Sequence, residues 1–183
     1  DGTAWMGMFC LNMLAIALEL ARTKPAYEDV ATKFFEHFIY IADAINGVGD
    51  EGLWDEADGF FYDEIHLANG RFLPLKLRSF VGLIPLFAVE TLDPKLLEML
   101  PRFRRRMEWF LDYRPELVSQ IASLTEPGEN GRFLLSLVNQ AQLKRILQRM
   151  LDPAQFLSDF GIRSLSQEYA ERPYQLTING HTH

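Results

Sequence analysis

The segment Ala4-Trp-Met-Gly-Met-Phe-Cys-Leu-Asn-Met-Leu-Ala-Ile-Ala-Leu-Glu-Leu-Ala21 is apolar around almost its whole circumference. Its length and composition predict a helix, and a helix without a polar face should be buried on most sides. Asp1 or Thr3 can cap its start by accepting hydrogen bonds from free backbone N–H groups. The segment therefore predicts that this helix lies inside a larger assembly of helices.

The segments that follow alternate between wholly apolar and one-sided helical patterns. From Pro25 to about Ile45, apolar residues recur at spacings of three and four on one side only. Phe80 to Leu92 is again almost wholly apolar, with a kink expected at Pro85. Pro94 to about Tyr113 is one-sided, and Pro101 can split it in two. This alternation is typical of concentric rings of inner and outer helices, and it favours an all-α fold that is part of an α/α toroid.

One β-hairpin interrupts the predicted helices. Phe61 to Leu67 and Arg71 to Leu75 flank Ala68-Asn-Gly70, which is a turn signal between two short strands. Asn139 to Leu151 then predicts a further helix, with its apolar residues on one side. We therefore expect a small hairpin insertion in an otherwise helical domain.

Size, charge and cysteine content exclude several classes of partner. The chain has 183 residues, enough for one domain, and a net charge of −7 that argues against binding a nucleic-acid backbone. Cys10 is the single cysteine, so no intrachain disulfide can form. The apolar run from Ala4 to Leu18 is shorter than the roughly 20 residues of a spanning helix. No signal peptide is visible, so we expect a cytoplasmic location without a membrane partner, and the missing initial Met suggests a piece of a longer polypeptide.

The most informative functional segment is Gly52-Leu-Trp-Asp-Glu-Ala-Asp-Gly-Phe-Phe-Tyr-Asp63. Aromatic faces with carboxylates beside them suit the stacking and multiple hydrogen bonds that a sugar ring requires. The same residues also suit a helix end followed by a hairpin, in which Trp54 and Tyr62 cover the core. Asp55 and Asp63 could bind sugar hydroxyls, or they could pair with Lys76 and Arg78.

Carboxylates near this segment are candidates for glycoside hydrolysis, which needs two of them on either side of the scissile bond. A separation of about 6.5–9.5 Å gives inversion, and about 5–5.5 Å gives a covalent intermediate. His181-Thr-His183 has metal-compatible side chains but no third ligand nearby in the sequence, so neither a metal nor another cofactor is expected. The candidate carboxylates are Asp1, Asp55, Glu56, Asp58, Asp63 and Glu64.

Four blocks together resemble glycoside hydrolase family 63, in the order in which that family has them. The resemblance is greatest to its bacterial mannosylglycerate-hydrolase-like branch and more distant to trehalases. It implies an (α/α)6 barrel that hydrolyses α-glycosidic bonds with inversion, without a metal. The blocks are Asp1-Gly-Thr-Ala-Trp-Met6, the segment from Gly52 to Asp63, Lys76-Leu-Arg-Ser-Phe-Val-Gly-Leu-Ile-Pro-Leu-Phe87, and Gly161-Ile-Arg-Ser-Leu-Ser166.

The resemblance also implies which parts of the site this chain would contribute. It places the general acid before the first block and the base after the last one, so residues 1–183 would be the central portion of a catalytic domain. This portion would need the remainder of that domain as its partner and would be inactive alone. Its carbohydrate substrate would contact two tryptophans that stack or shape the pocket, two aspartates that hold hydroxyls, and arginines that orient the ligand. These residues are Trp5, Trp54, Asp1, Asp55, Arg78 and Arg163.

Two alternative functions remain open from the sequence. Sugar epimerisation on the same toroid would use histidines as proton-transfer groups, but the chain has only four, and none lies on an apparent inner helix. A non-catalytic helical scaffold that binds protein or glycan is the other alternative.

Overall fold

The computed structural model describes residues 2–47, 52–67, 70, 72–119, 121, 124, 127–178 and 181–182. The α-helices are α1 (Gly2–Ala21), α2 (Tyr27–Asn46), α3 (Pro94–Met99), α4 (Pro101–Tyr113), α5 (Pro115–Val118) and α6 (Gln140–Met150), with 3₁₀ segments at Phe80–Phe87, Glu129–Gly131 and Gln167–Ala170. The strands are β1 (Trp54–Asp55), β2 (Phe60–Phe61), β3 (Asp63–His66), β4 (Phe72–Leu75), β5 (Val89–Leu92), β6 (Phe133–Ser136), β7 (Leu157–Ser158), β8 (Gly161–Ile162), β9 (Thr177–Ile178) and β10 (His181–Thr182).

The prediction of an all-α fold, part of an (α/α)6 toroid with one small β-hairpin insertion, is wrong. The structure is mixed, with 54% helix and 17% strand. The strands form several small antiparallel pairs, β1 with β2, β3 with β4, β5 with β6, β7 with β8 and β9 with β10. The chain divides into two compact units, Asp1–Gly52 with Ile84–Gln140 and Leu53–Leu83 with Ala141–His183. We call these the first and the second unit.

In the first unit, α1 and α2 pack along each other. The buried residues of α1 follow one stripe, which includes Leu11, Leu14 and Leu18. The prediction that α1 is buried on most sides is wrong, because its other side is apolar and open. We call this side the α1 apolar face; its large residues, each at least 36% exposed, are Trp5, Met6, Phe9, Met13, Ile16 and Leu20.

By length and composition alone, α1 could cross a membrane. It has 20 residues and is strongly apolar. The helix is therefore longer than the apolar run from Ala4 to Leu18, whose length predicted that it could not span a membrane. A core helix passes the same test, and α1 does pack against α2 through its buried stripe.

The contact between α2 and α4 completes the core of the first unit. The Phe35 ring meets the rings of Phe103 and Phe110 edge-on, with centroids 5.6 and 6.0 Å apart. Glu28 of α2 is 95% buried, and its Oε2 accepts hydrogen bonds from the backbone N–H groups of Arg102 (2.9 Å) and Phe103 (3.2 Å). A carboxylate from one helix thus satisfies the free N–H groups at the start of another.

The single kinked helix predicted from Phe80 to Leu92 is wrong, whereas the break at Pro101 is confirmed. Pro85 lies inside a 3₁₀ helix that ends at Phe87, because proline has no N–H and its ring disrupts a regular α-helix. The chain then extends as β5, which pairs with β6 from Val89 opposite Ser136 to Leu92 opposite Phe133. Pro94 begins α3 and Pro101 begins α4.

The second unit contains the predicted hairpin and the sixth helix. β3 and β4 pair from Asp63 opposite Leu75 to His66 opposite Phe72, which confirms the insertion. The helix predicted from Asn139 to Leu151 is confirmed as α6. In the core of this unit, the fully buried ring of Phe60 stacks on Phe156 with a centroid distance of 5.7 Å.

Candidate functional site

The segment predicted to bind sugar forms a tight hairpin in the second unit. β1 and β2 pair with Trp54 opposite Phe61 and Asp55 opposite Phe60. In the turn between them, the Asp55 carbonyl accepts from Gly59 N at 2.7 Å, and its Oδ1 accepts from Asp58 N at 2.8 Å. The turn is therefore held by its own backbone and by the first carboxylate of the segment.

The ring of Trp54 is half-buried and has several partners. Its Nε1 donates to Glu56 Oε2 at 2.7 Å, and the Phe61 ring meets it edge-on at 4.9 Å. The guanidinium of Arg145 lies over the ring, 5.6 Å from its centroid. A sugar can stack on that face only if Arg145 moves aside or shares the ring with it.

Two arginines one turn apart on α6 hold the loop from outside. Arg145 contacts Glu56 Oε1 at 2.8 Å and donates to the Ala57 carbonyl at 3.1 Å. Arg149 donates from Nε and Nη2 to the Asp58 carbonyl. Because residues four apart lie on the same side of a helix, one face of α6 fixes the turn.

Asp55 and Lys76 form a charged pair in which the lysine side chain is exposed and the carboxylate is largely covered. Asp55 Oδ2 lies 2.5 Å from Lys76 Nζ, with side chains 18% and 53% exposed respectively. The hydrogen bond from Lys76, together with that from Asp58 N, lowers the pKa of Asp55 below its ordinary value. The Asp55 carboxylate therefore remains ionised near neutral pH, where it can accept hydrogen bonds but cannot act as a general acid.

Arg78 connects the loop to a segment far along the chain. Its Nη2 lies 3.1 Å from Asp58 Oδ1, and its Nη1 lies 2.7 Å from Glu168 Oε2. Its Nε donates to the hydroxyl of Tyr62 at 3.3 Å, and that hydroxyl donates to Asp58 Oδ2 at 2.9 Å. Burial opposes the charge of Arg78, but the Tyr62 hydrogen bond and the nearby carboxylates outweigh this and raise its pKa. Burial and the Asp58 hydrogen bond raise the pKa of Tyr62.

One acceptor in this cluster is unsatisfied. Glu168 Oε1 is buried and receives no hydrogen bond among the described residues, although Oε2 of the same carboxylate is paired. Burying an acceptor without a donor costs about 1–3 kcal/mol. The pairing with Arg78 therefore has to stabilise the whole carboxylate.

The remaining predicted site residues are distributed as follows. Trp5 lies on α1 in the first unit, 36% exposed and stacked on Phe9 at 6.2 Å. Arg163 lies in the second unit, where its Nη1 donates to the carbonyls of Pro153 and Leu157. Asp1 lies outside the described residues. Trp54, Asp55 and Arg78 belong to one connected cluster of the second unit.

Several residues of this cluster were not predicted from the sequence. Arg145 and Arg149 carry a weak signal, since their spacing of four puts them on one face of a predicted helix. Glu168 and Tyr169 carry none. The Tyr169 hydroxyl accepts from Arg78 N at 2.9 Å across 91 positions of sequence, a contact that only the fold creates.

The described part of the chain holds no group of three or more His, Cys, Asp and Glu side chains placed to bind a metal. His37 lies exposed on α2, and the His66 ring meets Phe72 edge-on at 4.4 Å. The chemistry available in the cluster is therefore hydrogen bonding and charge pairing by carboxylates, guanidinium groups and a lysine.

No family model and no solved structure match the chain. The chain is similar to the uncharacterized protein YMR196W of Saccharomyces cerevisiae, with 44% identity over 194 aligned residues that cover 98% of this chain. The alignment covers 18% of the yeast protein, so the chain spans less than a fifth of the length of this relative.

Proposed function

We propose that this chain supplies substrate-binding surface in a protein that hydrolyses an α-linked oligosaccharide or glycosyl conjugate with inversion. The proposal combines the resemblance to glycoside hydrolase family 63 with one feature of the second unit, the Asp55–Lys76 pair held next to Trp54. One sugar hydroxyl can donate to the carboxylate and accept from the ammonium group, so this pair offers two-point recognition. The Trp54 ring offers an apolar edge beside it.

In this proposal the chain binds substrate and does not transfer the protons. Asp55 is paired with Lys76, Asp58 and Glu168 with Arg78, and Glu56 with Arg145. A general acid for glycoside hydrolysis needs a raised pKa, whereas the pKa of Asp55 is lowered. The acid and the base then come from other segments of the same catalytic domain, as the resemblance implies.

Kinetics of the intact protein test this proposal. We expect Trp54→Ala and Asp55→Asn each to lower kcat/KM on an α-linked disaccharide at least about tenfold, equivalent to about 1.4 kcal/mol. Assays run well below the melting temperature of each variant separate this effect from unfolding. Asp29→Asn, which removes an exposed carboxylate of α2, is the control and should leave the activity unchanged. Wild-type kinetics in both loop variants would remove the loop from the site.

The stereochemistry of the product is a second test. An inverting enzyme acting on an α-linkage releases the β-anomer first, and proton NMR of a fresh reaction distinguishes the two anomers. Initial release of the α-anomer would contradict inversion.

The α1 apolar face favours a second function, a scaffold that binds another helix. Met6, Phe9, Met13, Ile16 and Leu20 follow one another at alternating spacings of three and four, which is the repeat of a helix–helix seam. An intact protein that hydrolyses none of a panel of α-linked disaccharides, but loses a bound helical partner on Phe9→Glu, would favour this function over hydrolysis.

A further inference from the structure

The hairpin of β7 and β8 presents the most exposed aromatic ring of the described chain. Leu157 pairs with Ile162 and Ser158 with Gly161, so Asp159 and Phe160 form a two-residue turn. Phe160 is fully exposed, at 101%. A phenyl ring held in water at a hairpin tip gains nothing from burial in this fold.

The turn that carries Phe160 is held by several interactions. Ser158 Oγ accepts from Phe160 N at 3.2 Å and donates to the Gly161 carbonyl at 2.8 Å. Gly161 has a φ of +125°, a conformation that favours glycine. Arg163 closes the base through its bonds to the carbonyls of Pro153 and Leu157. The ring is therefore presented on a fixed backbone, which limits the entropy lost when a ligand binds.

Two polar side chains of the same hairpin region have hydrogen-bonding atoms without a partner among the described residues. The Asp159 carboxylate makes no ion pair or hydrogen bond with any described residue, unlike Asp55, Asp58, Glu56 and Glu168 in the loop cluster. Arg163 uses only Nη1 in its described bonds, so Nε and Nη2 remain available as donors.

These groups line an open surface pocket of about 400 Å³ formed by Pro153, Leu157, Ser158, Asp159, Phe160 and Arg163. Small-molecule sites typically have volumes of about 300–1,000 Å³, so this one suits a single ring. The negative charge of its one carboxylate balances the positive charge of its one guanidinium, and this balance favours a neutral polar ligand over an anion or a cation. An apolar ring face beside a free acceptor and free donors matches a pyranose, which has a CH face and a rim of hydroxyls.

We propose that this β7–β8 pocket is a pyranose-binding subsite, with the sugar ring on Phe160 and its hydroxyls on Asp159 and Arg163. The choice of a sugar as ligand rests on the proposed function. The subsite is assigned from groups that the loop of Trp54 and Asp55 does not use. It gives the second unit a contact for a sugar residue outside that loop.

Binding of maltose to the 183-residue chain tests the subsite, with the dissociation constant obtained from an NMR titration. We expect Phe160→Ala to weaken binding at least about fivefold, because an aromatic contact of ordinary strength is lost. Asp159→Asn should also weaken maltose binding. Phe72→Ala is the matched control, since Phe72 is also an exposed phenylalanine of the second unit, at 60%, and should leave the dissociation constant unchanged.

The subsite is overturned if the wild-type chain does not bind maltose, or if wild type and Phe160→Ala bind it with equal affinity. Weakening by Phe72→Ala to the same extent as by Phe160→Ala would also overturn it. These failures are distinct from failure of the proposed function, which is judged by hydrolysis in the intact protein. Hydrolysis that depends on Trp54 with binding independent of Phe160 would retain the function and remove the subsite.

Discussion

Arg78 and Glu168 are separated by 90 positions in the sequence, and their side chains form an ion pair with 2.7 Å between Nη1 and Oε2. The same guanidinium binds Asp58, 20 positions away on the other side. One side chain thus joins the loop between β1 and β2 to the 3₁₀ turn after β8. The geometry of the proposed binding surface depends on this contact.

Replacement of Arg78 tests that dependence. We expect Arg78→Ala to lower the free energy of unfolding by about 2–3 kcal/mol, because it leaves two partly buried carboxylates without their cationic partner. Arg78→Lys should restore only part of the loss, since an ammonium group lacks the forked geometry. Urea denaturation measures both. Arg22→Ala, which removes an exposed pair with Glu19, should cost less than about 0.5 kcal/mol, and an equal cost at both sites would contradict the role of Arg78.

The Asp55–Lys76 pair predicts a pH dependence of stability. The pKa of Asp55 is lower in the folded chain than its ordinary value of 3.8. Its carboxylate therefore stabilises the folded state above about pH 4, and this contribution is lost as the pH falls through the lowered pKa. The difference in unfolding free energy between wild type and Asp55→Asn should be largest near neutral pH and shrink in acid. A difference that grows on acidification would contradict the pairing, and Asp29→Asn should show little difference at either pH.

Alanine substitutions at Gly59 and Gly70 distinguish the effect of backbone strain from that of steric contact. Both have positive φ, +64° and +79° respectively. A Cβ at Gly59 would lie 2.2 Å from Arg145 Nε, whereas one at Gly70 would have nothing within 4 Å. Both alanine variants should lose about 1 kcal/mol from strain, and Gly59→Ala should lose more because Arg145 has to leave the loop. Equal melting temperatures for the two variants would show that the displacement of Arg145 does not lower stability.

The α1 apolar face predicts self-association of the 183-residue chain. Exposed apolar surface of this extent favours contact with another apolar surface. Sedimentation velocity should show species larger than a monomer, and the double variant Phe9→Glu, Ile16→Lys should shift them towards the monomer. Met99→Lys, at an exposed methionine outside α1, is the control. A wild-type chain that sediments only as a monomer would contradict this prediction.

The sequence predicted well those elements whose signals are local. α1, α2 and α6 follow from apolar spacing and length, the break before α4 from Pro101, and the β3–β4 hairpin from its turn residues. It failed from Phe80 to Leu92, where continuous apolarity fits a buried helix and a buried strand equally well. There the pairing of β5 with a strand more than 40 positions later decided the outcome.

For the candidate site, the sequence singled out Trp54, Asp55 and Arg78, and it left open whether Asp55 binds hydroxyls or pairs with Lys76. The structure places Lys76 on Asp55. It also assigns Arg78 to Asp58 and Glu168, which no spacing rule connects. A charged side chain has many possible partners of similar energy, so its actual partner depends on the packing of the backbone around it.

By itself, the sequence determined the positions of α1, α2 and α6 and of the β3–β4 turn, because hydrogen bonding within a helix and turn geometry involve residues only a few positions apart. Only the tertiary structure decided that one apolar side of α1 stays in water, that short strands pair between the helices, and that Glu168 reaches Arg78. These contacts join distant positions, and their free energy exists only when the whole chain is packed.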